Sequence, residues 1–336
     1  MLDIAALKDL LADPKNIVIT THHKPDGDAM GSSLGLYNYL IQKGHHVRVI
    51  TPTDYPDFLH WLPNNPEVII FTEKPEESKK LIENADLIFC LDFNSLSRIN
   101  EMGELIGKSA AKKVMMDHHP DPEGFDDYRY WTINACATAQ LVYNFIANIM
   151  GEPQFINKDV ATCLYTGIMT DSGSFRFPTT TSAVHHLVAD LIDRGAENWR
   201  IHELVYDNFS ENRLRFLGNC LLNKLEVLKE FNTAIISISK DELQKFHIEA
   251  GDTEGIVNYA LTINGVRLAG LVVERPDSVK LSLRSTGEFP ANDICKKYFN
   301  GGGHRNAAGG SSNESLENVL IKFKNILPEY KTLLIQ

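Results

Sequence analysis

Residues 17–36 read IVITTHHKPDGDAMGSSLGL. The stretch opens on a strand-like run, Ile17-Val18-Ile19-Thr20, and breaks into the polar turn His22-His23-Lys24-Pro25-Asp26-Gly27-Asp28. It leaves through Gly31-Ser32-Ser33 into an apolar-periodic helix ending near Gly44. A strand feeding a helix through a short loop places that loop at the carboxyl edge of a sheet, where open α/β folds bind ligands. His22, Asp26 and Asp28 fall within seven residues. Such a cluster repels itself and costs desolvation energy unless a cation neutralises it, which points to divalent metal.

On either side of this stretch the chain alternates strands and helices. A short amphipathic helix is expected over 3–12, and the helix of the opening stretch over 30–43. Strands are expected over 17–20, 47–51, 68–71, 86–91 and 113–116, with a helix over 76–84 between two of them. That alternation predicts a mainly parallel Rossmann-like sheet. The proline-rich piece 51–66 reads as a loop or lid. Helices follow over 138–150, 158–169, 182–194 and 198–228, the last joining two halves of the chain. Beyond residue 233 the texture changes to a second, smaller α/β unit, with strands over 234–238, 267–274 and 280–284 and helices over 253–261, 292–299 and 316–326. The expected division is 1–195, a helical linker 196–230, and 231–336.

Length and composition set outer bounds. A chain of 336 residues can build two domains with sizeable cores, and no apolar run or basic leader suggests a membrane span or export signal. Cytoplasmic residence is therefore expected. The five cysteines are odd in number and scattered, which suits buried thiols in a reducing compartment better than disulfides or zinc ligands. The net charge of −11 lies wholly in the first two-thirds, where 21 basic residues face 32 acidic ones; residues 231–336 carry 12 of each. So acidic a chain is poorly suited to coating long duplex nucleic acid, while a small phosphorylated substrate held by metal and a few local cations remains open.

Three more segments carry chemistry. Asp92 ends the apolar run 87–91, and Asp117, followed by His118 and His119, ends the run 114–116. Each alone reads as a turn or helix-cap residue, but in a parallel sheet these ends open onto one edge with the 22–28 turn. Asp171, among the small residues Ser172, Gly173 and Ser174, closes another apolar helix. An oxygen-rich set with some imidazole suits Mn²⁺, with Mg²⁺ as the alternative, and its surplus of carboxylates suggests two ions about 3.5–4 Å apart. In the second unit Gly301-Gly302-Gly303-His304-Arg305 lacks the features of a P-loop, yet offers bare backbone N–H groups and local charge to a phosphate. Arg284, at a strand end, is a further anion contact.

These motifs, in this order, resemble the DHH phosphoesterases: His22-x-x-x-Asp26-x-Asp28, Asp92, Asp117-His118-His119 and Asp171, with Gly301-Gly302-Gly303-His304 resembling the glycine motif of the associated DHHA1 domain. The absence of further domains resembles the stand-alone nanoRNase/pAp phosphatase branch. The resemblance implies that His22, Asp26 and Asp92 hold one Mn²⁺ and that Asp28, Asp92, His118 and Asp171 hold the other, with Asp92 bridging. It further implies that His119 faces the substrate phosphate, that Asp117 orients an imidazole, and that Gly302, Gly303, His304, Arg305 and Arg284 grip the nucleotide. The implied reaction is hydrolysis of short RNA oligonucleotides and 3′-phosphoadenosine 5′-phosphate by a hydroxide activated between the metals. A cyclic or linear dinucleotide phosphodiesterase, an exopolyphosphatase-like enzyme and a non-catalytic nucleotide sensor stay open. So does the oligomeric state, with a homodimer as the working expectation.

Overall fold

The computed structural model describes residues 4–249 and 251–335. The chain divides into two compact units, Met1–Asn208 and Phe209–Gln336. In the first unit the order is α1 (Ile4–Leu10), β1 (Asn16–Thr20), α2 (Gly27–Gln42), β2 (His46–Thr51), β3 (Ile69–Ile70), α3 (Pro75–Glu83), β4 (Leu87–Leu91) and α4 (Met102–Lys108). It continues through β5 (Lys112–Asp117), β6 (Tyr128–Trp131), α5 (Thr138–Asn144), α6 (Lys158–Asp171), α7 (Ser182–Asp193) and α8 (Asn198–Tyr206). Residue 3 of the expected first helix, and the side chain of Ile4, lie outside what is described.

The six strands form one sheet in the order β3-β2-β1-β4-β5-β6, every pair parallel. Parallel strands are covered on both faces, so their sequences run apolar without alternation, as in Leu87-Ile88-Phe89-Cys90-Leu91. Ile17, Ile19, Leu87, Phe89 and Leu91 enter one core, while Val18, Ile88 and Cys90 enter the core on the opposite face. The strand order reverses between β1 and β4, the topological switch point where a crevice opens at the carboxyl edge.

Helix α2 is buried from Gly27 to Leu40, because it lies against α6 at backbone distance. A Cβ on Gly31 would sit 2.6 Å from the Cys163 carbonyl oxygen and 2.7 Å from the Gly167 nitrogen. Gly31 and Gly167 thus set how closely α2 and α6 approach.

The second unit contains α9 (Glu211–Asn219), β7 (Leu225–Leu228), β8 (Thr233–Ile238), α10 (Lys240–Lys245), α11 (Ile256–Leu261), β9 (Leu268–Glu274), β10 (Val279–Ser285), α12 (Ala291–Tyr298), β11 (Gly302–His304), β12 (Ala307–Ser312) and α13 (Leu316–Ile335). Its sheet runs β11-β12-β10-β9-β8-β7, with only β8 and β9 parallel.

Three expectations need correction. The single helix over 198–228 is divided: the chain turns after Tyr206, Ser210 caps α9 by accepting from the Arg213 amide at 3.1 Å, and 225–228 becomes a strand because β8 pairs with it. The piece 51–66 is no lid, since Tyr55, Leu59 and Leu62 are buried in the main core. The glycine segment 301–310 forms the β-hairpin of β11 and β12 at a sheet edge. The last helix passes Pro328 and runs to Ile335, with Leu334 still buried. Strand β6, unforeseen, is a short aromatic edge strand whose pairing with β5 supplies what its pattern lacks.

Candidate metal centre at the carboxyl edge of the sheet

Each ligand candidate of the first unit stands where an element starts or stops at the switch point. His22 follows β1, Asp92 follows β4, Asp117 is the last residue of β5, and Asp171 is the last of α6. Asp26 is the N-cap of α2: its Oδ1 accepts from the amides of Asp28 and Ala29 at 3.0 and 3.1 Å. Its Oδ2 lies 3.8 Å from His22 Nε2, so one carboxylate serves both the helix and the cluster.

Asp92 is central. Its backbone is left-handed, with φ at 64°, a conformation Asp tolerates better than most residues. Its Oδ2 lies 3.4 Å from His22 Nε2; its Oδ1 lies 3.5 Å from His118 Nε2 and 3.7 Å from His119 Nδ1. His118 Nε2 also stands 3.8 Å from Asp28 Oδ2 and 3.4 Å from Asp171 Oδ2. The set His22, Asp26, Asp92 and the set Asp28, Asp92, His118 each gather within the reach of a single cation.

The His22 and His118 imidazoles, both candidate ligands, are oriented through the nitrogen that faces away from the cluster. His22 Nδ1 donates to the His23 carbonyl at 3.0 Å, and His118 Nδ1 to the Ala135 carbonyl at 3.2 Å. A carbonyl only accepts, so the proton sits on Nδ1 and Nε2 turns toward the carboxylates, the arrangement usual for metal-binding histidine. His119 is held differently. Its Nδ1 donates to Asp117 Oδ1 at 2.8 Å, and the Trp131 indole N–H donates to its carbonyl at 2.6 Å. The second oxygen of the fully buried Asp117 has no hydrogen-bond partner among the described residues.

The electrostatics show what the cluster lacks. Burial, then the charges of Asp92 and Asp171, push the Asp28 carboxyl well above its ordinary range. Burial opposes ionisation of Asp92 too, but hydrogen bonds to His118 and His22 outweigh it and hold Asp92 well below the usual carboxylate value. Burial likewise works against a charged His118, yet the Asp92 hydrogen bond and the Asp171 charge raise it well above the imidazole norm. His22 is raised for the same reasons, chiefly by Asp92 after burial is overcome. Without a cation, then, the cluster keeps its charge tolerable by retaining protons. Oxygen and imidazole donors with buried, mutually repelling carboxylates fit a divalent cation.

A prediction follows with a definite sign. A binding divalent cation must displace the protons held by Asp28 and His118, so binding releases about one proton or more per chain and tightens as pH rises. Calorimetry in buffers of different ionisation enthalpy measures the release directly. A pH-independent affinity without proton release would contradict it.

Reading the sequence alone missed Thr138 and Ala139 at the start of α5. Their amides donate to Asp28 Oδ2 and Oδ1 at 2.6 and 2.9 Å, and the Thr138 hydroxyl donates to Asp92 Oδ1 at 2.9 Å. The one available signal was the run of small residues Ala135-Cys136-Ala137-Thr138-Ala139, which permits close approach.

The second unit gathers its own candidates. Ala307 of β12 pairs with Arg284 on one side and His304 on the other. Directly paired residues share a face, so Arg284 and His304 flank a small alanine about 10 Å apart across two strand spacings. The three glycines differ. A Cβ on Gly301 would strike the Gly309 carbonyl at 2.0 Å, and Gly303 has φ of 129° with Ala307 O at 2.6 Å; the fold itself requires both. Gly302 meets nothing nearer than Lys296 Cε at 3.9 Å, so its face is open backbone. Arg305 donates to the Glu288 carbonyl and pairs with the Glu288 carboxylate.

Comparison with known proteins agrees with this geometry. The family "DHH family, N-terminal domain" matches residues 16–168 and "DHHA1 domain" matches residues 229–329. The chain is 31% identical to the bifunctional oligoribonuclease and PAP phosphatase NrnA of Thermus thermophilus, with 87% of this chain and 83% of that protein covered. It is 27% identical to the protein of the same name from Bacillus subtilis, covering 94% of this chain and 96% of that one. The crystal structure of an exopolyphosphatase-related protein from Bacteroides fragilis superposes with a TM-score of 0.95 at 39% identity, over 99% of this chain and 97% of that chain. A phosphoester-hydrolase family matched in both of its domains, and relatives matched over most of their length, place this chain in the DHH family, with a DHHA1 domain following.

Proposed function

We propose that this protein is a divalent-metal-dependent phosphoesterase of the cytoplasm that hydrolyses short oligoribonucleotides and 3′-phosphoadenosine 5′-phosphate. The observation that carries the reading is the carboxylate and imidazole cluster around Asp92 at the switch point. Its likeness over nearly full length to oligoribonuclease/PAP phosphatases supports the substrate class.

His22, Asp26 and Asp92 would hold one Mn²⁺, and Asp28, Asp92, His118 and Asp171 would hold a second. When bound, such cations acidify water and offset charge on a phosphoryl oxygen. The protein's own groups do the rest. Asp92 divides its two oxygens between His22 and His118, which suits a ligand common to two sites. Asp117 accepts a hydrogen bond from His119 Nδ1 and so fixes the ring with Nε2 left to face a phosphoryl oxygen of the substrate. In the second unit the Gly302 backbone, Gly303, His304 and Arg284 hold a nucleotide phosphate or base. Arg305 pairs with the Glu288 carboxylate, which offsets its charge, so it would meet a phosphate only by leaving that pair.

The glycines offer a separate check on that grip. Gly302→Ala leaves the urea midpoint close to that of the parent and weakens nucleotide binding about tenfold, since the added methyl covers an open backbone face. Gly301→Ala lowers the urea midpoint instead. Unchanged nucleotide affinity in Gly302→Ala would remove this segment from the binding site.

The deciding experiment is a substrate panel with Mn²⁺, resolved by product size: short RNA, 3′-phosphoadenosine 5′-phosphate, linear pApA, cyclic di-AMP and polyphosphate. Mononucleotides from short RNA and adenosine 5′-phosphate from the bisphosphate are expected. Preference for cyclic di-AMP or polyphosphate would replace the reading, and nucleotide binding without turnover would make the protein a sensor.

A further inference from the structure

Thr138 is fully buried at the first position of α5. A hydroxyl at a helix start ordinarily serves its own helix, but the N-cap here is Ala137, which has no polar side chain to cap with, and the first two amides of the helix are taken by the Asp28 carboxylate instead. The Thr138 hydroxyl turns away from its helix to Asp92 Oδ1, 46 residues back in the chain, at 2.9 Å. Its amide and that of Ala139 meanwhile occupy both oxygens of Asp28. One turn of backbone therefore grips two carboxylates that the proposed ligand set assigns to the cations.

We infer that Thr138 is a positioning residue for the metal centre: its hydroxyl fixes the rotation of the Asp92 carboxylate so that the two oxygens serve two different cation positions. The inference rests on the ligand assignment above. Asp92 hangs from a left-handed backbone between His22 on its Oδ2 side and His118 with His119 on its Oδ1 side. A terminal carboxylate torsion is broad and roughly two-fold, so neighbouring bonds, more than rotamer preference, define its angle. The imidazoles cannot define it in the loaded state, because their Nε2 atoms then face the cations. Thr138 is a donor that metal binding does not withdraw. Its hydroxyl satisfies one lone pair of Oδ1 and leaves the other directed into the cluster. Outer groups of this kind ordinarily change metal affinity about 10- to 100-fold.

The test compares Thr138→Val, Thr138→Ser and Thr138→Ala in the full chain, stripped of metal with chelator and titrated with Mn²⁺ by calorimetry and electron paramagnetic resonance. Serine and alanine at this position differ only in the hydroxyl, so the comparison stands even where valine folds poorly. Thr138→Ala and Thr138→Val are expected to raise the Mn²⁺ dissociation constant about tenfold or more at unchanged stoichiometry, and Thr138→Ser to stay within about threefold of the parent. At saturating Mn²⁺ the KM for substrate is expected to hold in all three. A purely structural threonine would lower the stoichiometry and the metal-free melting temperature while leaving the affinity of folded molecules intact. Parental Mn²⁺ affinity in Thr138→Ala, or a serine variant as impaired as alanine, overturns the inference. Asp92→Asn run alongside tells the two failures apart: if it binds Mn²⁺ like the parent, the ligand assignment falls and the inference falls with it.

Discussion

Asp92→Asn should cut Mn²⁺-dependent phosphoester hydrolysis by about a thousandfold or more, some 4 kcal/mol of barrier. Asparagine keeps the shape of the side chain and tolerates the left-handed backbone at φ 64°, so the change removes charge with little added strain. No other side chain of the first unit approaches His22, His118 and His119 together among the described residues. Losing its charge unbalances both proposed cation positions at once. The check is steady-state hydrolysis of a small activated phosphodiester and of short RNA at saturating Mn²⁺, with circular dichroism to show that the variant is folded. Near-parental turnover would detach Asp92 from the chemistry.

The second large effect lies in the scaffold. Gly31→Ala should destabilise the chain by about 3 kcal/mol, the upper end of what overpacking costs when backbone must move. The atoms an added methyl would meet are the Cys163 carbonyl and the Gly167 backbone, and neither can swing aside as a side-chain tip could. Prising α2 from α6 also separates Asp28 from Asp171, which those two helices carry. Urea denaturation should therefore show a lower midpoint, and Mn²⁺ affinity should fall in parallel. An unchanged midpoint would mean that the helices have slack where the structure shows contact.

Much of this was legible in the one-dimensional pattern. The apolar runs around Ile19, Phe89 and Met115, each stopping at a polar residue, are what a strand buried on both faces and ending at a crevice must look like. The order of His22, Asp26, Asp28, Asp92, His118 and Asp171 along the chain expressed a site because parallel strands put all their carboxyl ends on one edge. Less was visible where an element owes its form to a neighbour. Leu225–Leu228 looks like the tail of a helix until β8 pairs with it, and Tyr128–Trp131 carries no periodicity of its own. Gly301 and Gly303 look in sequence like glycines kept for a ligand, yet packing against Gly309 and Ala307 already demands both; of the three, Gly302 has the open face.

Local physics therefore set the identity and approximate bounds of most elements, the residue types of the candidate metal centre and the net acidity of the chain. Those properties depend on side-chain period, turn chemistry and charge, which neighbours in sequence determine. Contacts between distant segments decided the rest: the 3-2-1-4-5-6 order that puts the switch point between His22 and Asp92, the backbone contact of α2 with α6, and the reach of Thr138 to Asp92. Hydrogen bonds across 46 or 110 residues leave no periodic trace, because either partner alone would serve equally well as a cap or a turn residue.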